Sequence, residues 1–261
     1  MGNTRDVIRQ WINLLAVVVT LAVNGLANAL PLNGLNTGQI SDRFQVYFVP
    51  AGYVFSIWGL IYLGLIAFGI YQLLPSQAAN PRLRGVGYLF ALSCLANIAW
   101  LFLWHYLLFP LTLVAMLALL LLLAASYLRL GIGRGRCSAA ETWLVNVPFS
   151  VYLGWITVAT IANVTTLLSY LNWNGWGLAP EVWTIIMLAV ATGIVAALIL
   201  TRHDLGYALV IVWAYVGIAG KQSATPVVAT PALALAAVVG VLAAATALTT
   251  LRGRMGNRRS V

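Results

Sequence analysis

Stretches of about twenty apolar residues recur along almost the whole chain, and that recurrence decides what it can fold into. Leu111–Ala125, for example, carries no charge and shows no alternation of polar and apolar positions. A hydrocarbon core of about 30 Å needs roughly 20 apolar residues per helix. Backbone amides in lipid must be satisfied within the segment or in a closed barrel. Barrel strands alternate over short segments, so these runs predict transmembrane helices. Composition agrees: 62% of the 261 residues are hydrophobic and 7% charged, too few charges to cover a soluble surface. The expected fold class is an all-α integral membrane protein in contact with the lipid bilayer.

Eight spans are expected, near Trp11–Leu30, Tyr53–Leu74, Val86–Leu107, Leu111–Leu130, Thr142–Tyr170, Trp183–Leu200, Leu205–Ala219 and Ala232–Leu251. The fifth is long enough to tilt. The seventh is short, and a re-entrant segment is its alternative. With the N-terminus inside, Arg5, Arg9, Arg82, Arg84, Arg129, Arg134, Arg136, Arg202, Arg252, Arg254, Arg258 and Arg259 collect on one side, and only Arg43 and Lys221 on the other. Twelve against two is a strong positive-inside bias. It predicts cytoplasmic N- and C-termini in a plasma (inner) membrane. It also accounts for the net charge of +9 without a nucleic-acid partner, since no basic domain could hold a phosphate backbone.

The first span, with its basic start and Ala27-Asn28-Ala29, also has the form of a signal peptide. The length of its apolar run favours a retained anchor. Met1-Gly2 is followed by Asp6 where myristoylation needs Ser or Thr. Residues 31–51 read as an external loop, and Asn172–Pro180 as a second, with Trp173 and Trp176 as interfacial anchors. Cys94 and Cys137 are expected as free thiols.

Catalytic chemistry is hard to find. Asp6, Asp42, Glu141, Glu181 and Asp204 all fall in loops or at span ends, whereas proton-coupled transporters place such groups within the membrane. His105 and His203 read as interfacial residues, and Lys221 as a snorkelling lysine. No metal set and no covalently bound cofactor is expected. The remaining signal is aromatic and amide. Phe55, Trp58 and Tyr62 share one face of the second span, and Asn97, Trp100 and Trp104 one face of the third. Tyr152, Trp155, Ala159 and Asn163 share one face of the fifth. Such stripes can serve helix packing alone. Three on neighbouring helices suit a shared pocket for a flat, largely apolar ligand.

These blocks resemble the tryptophan-rich sensory protein family (TspO, the peripheral-type benzodiazepine receptor or translocator protein family). Pro50-Ala51-Gly52-Tyr53-Val54-Phe55-Ser56-Ile57-Trp58-Gly59-Leu60-Ile61-Tyr62 is similar to the proline-containing entry to the family's second helix and its Trp-x-x-x-Tyr. Asn97-x-x-Trp100 resembles the third-helix pattern. Trp155-Ile156-Thr157-Val158-Ala159-Thr160-Ile161-Ala162-Asn163 resembles the fifth-helix Trp-x-x-x-Ala-x-x-x-Asn. The resemblance covers roughly residues 11–170. It implies a TspO-type five-helix bundle over 1–170, with three further spans and a basic tail over 171–261.

The resemblance further implies a pocket for tetrapyrroles, sterols or synthetic aromatic ligands, and a homodimer. Trp58, Asn97, Trp100, Trp155, Ala159 and Asn163 are carried over as pocket residues. The leading expectation is therefore a non-enzymatic receptor or sensor for a planar hydrophobic molecule. A small-molecule transporter not coupled through buried carboxylates is its rival. An enzyme on lipid or tetrapyrrole is the least supported class, for want of a nucleophile–base pair.

Overall fold

The computed structural model describes residues 3–258 except 31 and 136, with side chains as far as residue 250. Met1-Gly2, Arg136 and Arg259, together with the side chains of Arg252, Arg254 and Arg258, lie outside that description. Eight principal helices form the bundle: α1 Thr4–Ala29, α2 Ile57–Leu73, α3 Leu89–His105, α4 Phe109–Leu130, α5 Val147–Tyr170, α6 Pro180–Arg202, α7 Leu205–Lys221 and α8 Pro226–Arg258. Among the described residues there is no strand. Six segments are long and apolar enough to cross a membrane, while α3 and α7 have 17 residues each. The protein is an all-α integral membrane protein.

The seventh span is not re-entrant. Asp204, at the start of α7, lies against Tyr127 near the end of α4. Lys221, at its other end, meets Asp42 in the loop after α1. The helix therefore runs from one end of the bundle to the other, and its burial on most faces compensates for its length. Leu107, with a φ of 60°, makes the tight reversal between α3 and α4.

Helix α1 is amphipathic in reverse. Its buried residues are Asp6, Arg9, Gln10, Asn13, Val17, Thr20, Asn24 and Ala27, a largely polar stripe at three- and four-residue spacing. Leu15, Val18 and Leu26 point outward. In lipid the apolar face needs no cover, so polar groups turn inward and bond across helices. Gln72 Nε2 donates to Gln10 O at 3.0 Å, and Asn13 Nδ2 to Gln72 Oε1 at 3.3 Å.

The arginines collected by the charge asymmetry are structural as well. Arg84 pairs with Asp6, whose carboxylate pushes the guanidinium pKa up. Arg82 Nη1 lies 3.2 Å from Glu141, and its Nε donates to Leu130 O at 2.9 Å. Arg202 Nη1 donates to Ile132 O at 3.0 Å. Leu130 O and Ile132 O lie at and just past the end of α4, where carbonyls lack intrahelical donors, and cations suit that end of the helix dipole.

Helix α5 is the hub, packed against α2, α4 and α7. A π-helical turn at Thr142–Asn146 leads into it. Pro148 has no N–H to give the preceding turn, and a widened turn absorbs that loss. The loop over residues 31–51 is more than an external connection. It holds a short helix, Thr37–Ser41, capped by Asn36 with Gln39 bonding back, and it buries Ile40, Phe48 and Val49.

Candidate functional site

The three aromatic stripes meet in space. On α2 Trp58 stacks on Tyr62 with ring centroids 5.4 Å apart, and on α3 Trp100 stacks on Trp104 at 5.4 Å. The α2 stripe locks edge-on into α5: Phe55 lies 5.6 Å and Trp58 6.3 Å from Trp155, and Trp58 lies 6.0 Å from Tyr152. Edge-to-face geometry at these distances is favourable for aromatic quadrupoles. Between α5 and α3 the rings leave a cavity of about 70 Å³.

Of the ten sequence-predicted residues, Phe55, Trp58, Asn97, Trp100, Trp104, Trp155, Ala159 and Asn163 line that cavity. Tyr62 does not; it lines a second, adjoining space of about 340 Å³. Tyr152 lines neither. It is 1% exposed and packs beneath Trp58, where its hydroxyl accepts from Asn97 Nδ2 at 3.1 Å. Asn97 Oδ1 in turn accepts from Asn24 Nδ2 at 2.9 Å. Tyr152 is thus part of a polar chain linking α1, α3 and α5.

Three buried polar atoms of the cavity-lining residues have no partner among the described residues: Trp100 Nε1, Trp155 Nε1 and Asn163 Oδ1. The Asn163 case follows from its neighbours. Thr112 Oγ1 gives its hydrogen to Phe109 O at 2.7 Å and accepts from Asn163 Nδ2 at 3.0 Å. That fixes the amide's orientation and leaves its oxygen idle. Unpaired buried polar atoms cost about 1–3 kcal/mol each unless something meets them. Here two donors and one acceptor surround an aromatic cavity.

Several lining residues escaped the sequence reading. Asn24 and Asn28, one turn apart on α1, face the second space, as do Thr37, Ser41 and Asp42 of the loop. Met116 and Leu119 of α4 line the first. The asparagines were findable from their four-residue spacing within the polar stripe of α1. Thr37 and Ser41 were not, because their place depends on the loop folding back onto the bundle, with Trp104 Nε1 donating to Thr37 O at 3.2 Å.

The rim is held from outside the first five helices. Ala51 N donates to Gly217 O at 3.0 Å, and Trp213 Nε1 to Val54 O at 3.1 Å. Gly217 allows this approach, since a Cβ there would run into Val54. Lys221 Nζ lies 3.2 Å from Asp42 Oδ1, so it is paired rather than merely snorkelling.

His105, at the end of α3, is fully buried, its Nδ1 2.8 Å from Leu101 O. Cys94 and Cys137 are both free thiols. Trp173, Trp176 and Trp183 form a cluster of their own at the loop after α5, away from the cavity. Among the described residues no group of histidine, cysteine and acidic side chains could hold a metal ion.

No curated protein and no solved structure matches this chain. A family model described as TSPO-like protein matches residues 10–245, well past the five spans that carry the motifs and into α8. With the aromatic stripes joined around one cavity and the match running through nearly the whole bundle, the chain belongs to the family of TSPO-like proteins.

Proposed function

We propose that the protein is a membrane receptor or sensor that binds a planar hydrophobic molecule, of the tetrapyrrole or sterol-like kind, in the cavity between α2, α3 and α5. The observation that carries this reading is the set of unpartnered polar atoms, Trp100 Nε1, Trp155 Nε1 and Asn163 Oδ1, in a cavity walled mainly by apolar side chains. Ring faces supply stacking area, and a few fixed polar groups supply orientation. Phe55, Trp58, Trp100 and Trp104 form the aromatic walls. Ala159 keeps the α5 wall low, so that a larger residue there fills the space. Tyr62, Asn97 and Tyr152 hold the walls in place.

Family membership supports a membrane receptor in the broad sense. The arginine-rich end of the bundle faces the cytoplasm of a plasma membrane in this reading, by the positive-inside bias. The cavity then opens toward the outer side. A homodimer fits the resemblance and is proposed on that ground alone.

The test is tryptophan fluorescence quenching by a porphyrin, with the macrocycle's absorbance shift as a second readout. The wild type is compared with the Trp155→Phe/Asn163→Leu variant in detergent. Saturable quenching whose affinity falls about tenfold in the folded variant is expected, a loss of about 1.4 kcal/mol. Non-saturable quenching identical in both proteins reduces the stripes to helix packing.

A further inference from the structure

The arginines at one end of the bundle are not equally compensated. Arg82 pairs with Glu141, and Arg202 is buried against Ile132 O. Asp6 is shared between Arg84 and Arg9: Arg84 Nε donates to its Oδ1 at 2.9 Å, and Arg9 Nη1 lies 3.6 Å away. Arg9 is buried, but the side chain of Arg84 stays 42% exposed. Arg129 is exposed and meets no carboxylate among the described residues; its Nη1 donates to Gly85 O at 3.2 Å.

Packing places the two exposed guanidiniums together. Gly85 follows Arg84 on the short helix Pro81–Val86, and a Cβ there would lie 3.7 Å from Arg129 O. The end of α4 thus abuts that helix, and Arg129 reaches across it. The Gly85 carbonyl fixes one edge of the Arg129 fork and leaves its other N–H groups unspent among the described residues. In this corner Arg9, Arg84 and Arg129 stand against Asp6 alone.

The same corner borders lipid. Helix α3 starts at Leu89 and α4 ends at Leu130, so their inner turns lie side by side here. Tyr88, Leu92 and Leu95 are exposed along one face of the first, and Leu121 and Leu128 along one face of the second. A guanidinium offers planar, forked donors that match phosphate oxygens. Basic pockets between helices at a membrane surface take anionic headgroups.

We infer that Arg84 and Arg129 bind the phosphate of an anionic phospholipid of the phosphatidylglycerol kind, whose chains lie along the exposed leucines of α3 and α4. The site is separate from the aromatic cavity and stands or falls without it. A zwitterionic lipid brings its own ammonium into a corner already rich in cations, so it gains less. Free phosphate has the charge but no chains to lay against the helices. Orientation in the membrane needs only the number of arginines at this end; the anchoring of Arg129 on Gly85, beside Arg84, is what builds a site.

The experiment follows energy transfer from tryptophan to pyrene-labelled phosphatidylglycerol or phosphatidylcholine, added to the full chain in micelles of a neutral detergent. Saturable transfer is expected at about tenfold lower mole fraction for the glycerol lipid. Arg129→Gln removes an exposed charge without stranding a carboxylate and should narrow that preference about fivefold. Arg134→Gln removes an equal charge from an exposed loop residue at the same end, next to Gly133, which abuts Arg202 of α6, and should leave the preference unchanged.

Equal transfer to the two lipids in wild type overturns the assignment. So does an equal loss in the two variants, which reduces the corner to diffuse surface charge. Displacement of the glycerol lipid by inorganic phosphate overturns the lipid part, because the headgroup charge alone then accounts for binding.

Discussion

Helix α5 presents polar groups on two faces, and they are treated in opposite ways. Toward α7, Ser150 and Thr157 of α5 are both paired. Asp204 Oδ2 accepts from Tyr127 Oη at 2.7 Å and from Ser150 Oγ at 2.7 Å, while its Oδ1 caps α7 through Tyr207 N at 3.0 Å. Tyr207 Oη then donates to Thr157 Oγ1 at 2.8 Å, and Gly154 lets α7 lie close against α5. Toward α3 the same helix offers Trp155 Nε1 and Asn163 Oδ1 with nothing to bond. Both faces are deep in the protein, with Trp155 2% and Asp204 6% exposed. Burial alone therefore does not separate structure from site; unpaired polar atoms on residues that line a cavity mark the candidate site. A satisfied network fixes a helix pair, while an unsatisfied one beside a cavity is a cost that a ligand can relieve.

The largest effect expected from this contrast is on stability. Asp204→Ala strands two hydroxyls and removes the α7 cap, and about 3–7 kcal/mol of stability should be lost at about 1–3 kcal/mol per stranded donor plus about 1 for the cap. Asn163→Leu on the opposite face gives up one hydrogen bond to Thr112, worth about 1 kcal/mol, but also removes a stranded acceptor, so the two changes offset and thermal unfolding in detergent should shift little. The contrast breaks if the two variants melt alike, or if Asp204→Ala loses ligand affinity without losing stability.

A smaller effect is expected where α7 meets the site. A methyl at Gly217 would run into Val54 and lie 3.2 Å from Pro50, displacing the segment that carries Phe55. Overpacking of this kind costs about 1–3 kcal/mol, part of which the better helix propensity of alanine offsets. Gly217→Ala should thus lower the melting temperature modestly and weaken probe binding. Gly193→Ala on α6, where a Cβ meets open space, is its control and should do neither. Weakened binding in Gly217→Ala shows that the later helices shape the site; an unchanged affinity confines them to support.

Much of this was readable in advance, for identifiable reasons. Lipid imposes one length and one hydrogen-bonding solution on each span, so helix count and faces follow from local sequence. The stripe at Tyr152, Trp155, Ala159 and Asn163 falls on one face because helical periodicity alone places it there. The fate of each residue on the stripe was not local. Tyr152 became a strut because Asn97 sits opposite it, and Asn163 kept an idle oxygen because Thr112 took its nitrogen. His105 went inward because the chain reverses at Leu107 and the loop packs over it, with Asn33 Nδ2 donating to His105 O at 3.1 Å. The second space escaped notice for a related reason: Thr37, Gly38, Ser41, Asp42 and Pro50 of its lining come from a loop whose polar composition reads as exposed.

The smallest effect concerns the mouth of that second space, where Asp42 lies. The Lys221–Asp42 pair is exposed on both sides, 31% and 71% by side chain. Pairs of this kind contribute about 0–1 kcal/mol, because water screens them and two side chains lose freedom. Lys221→Met should therefore leave the melting temperature where it was. Binding should still respond, since the substitution leaves the Asp42 carboxylate uncompensated. The mouth becomes more negative, so an ammonium-ended probe gains affinity, a carboxylate-ended one loses it, and both changes shrink as salt is added over a screening length of about 10 Å at 0.1 M. A fall of several degrees in melting temperature would mean that charge, rather than the α7 backbone at Gly217 and the Trp213 side chain, holds the rim. Unchanged stability with a salt-sensitive shift in probe preference places Asp42 within reach of the bound ligand's polar end.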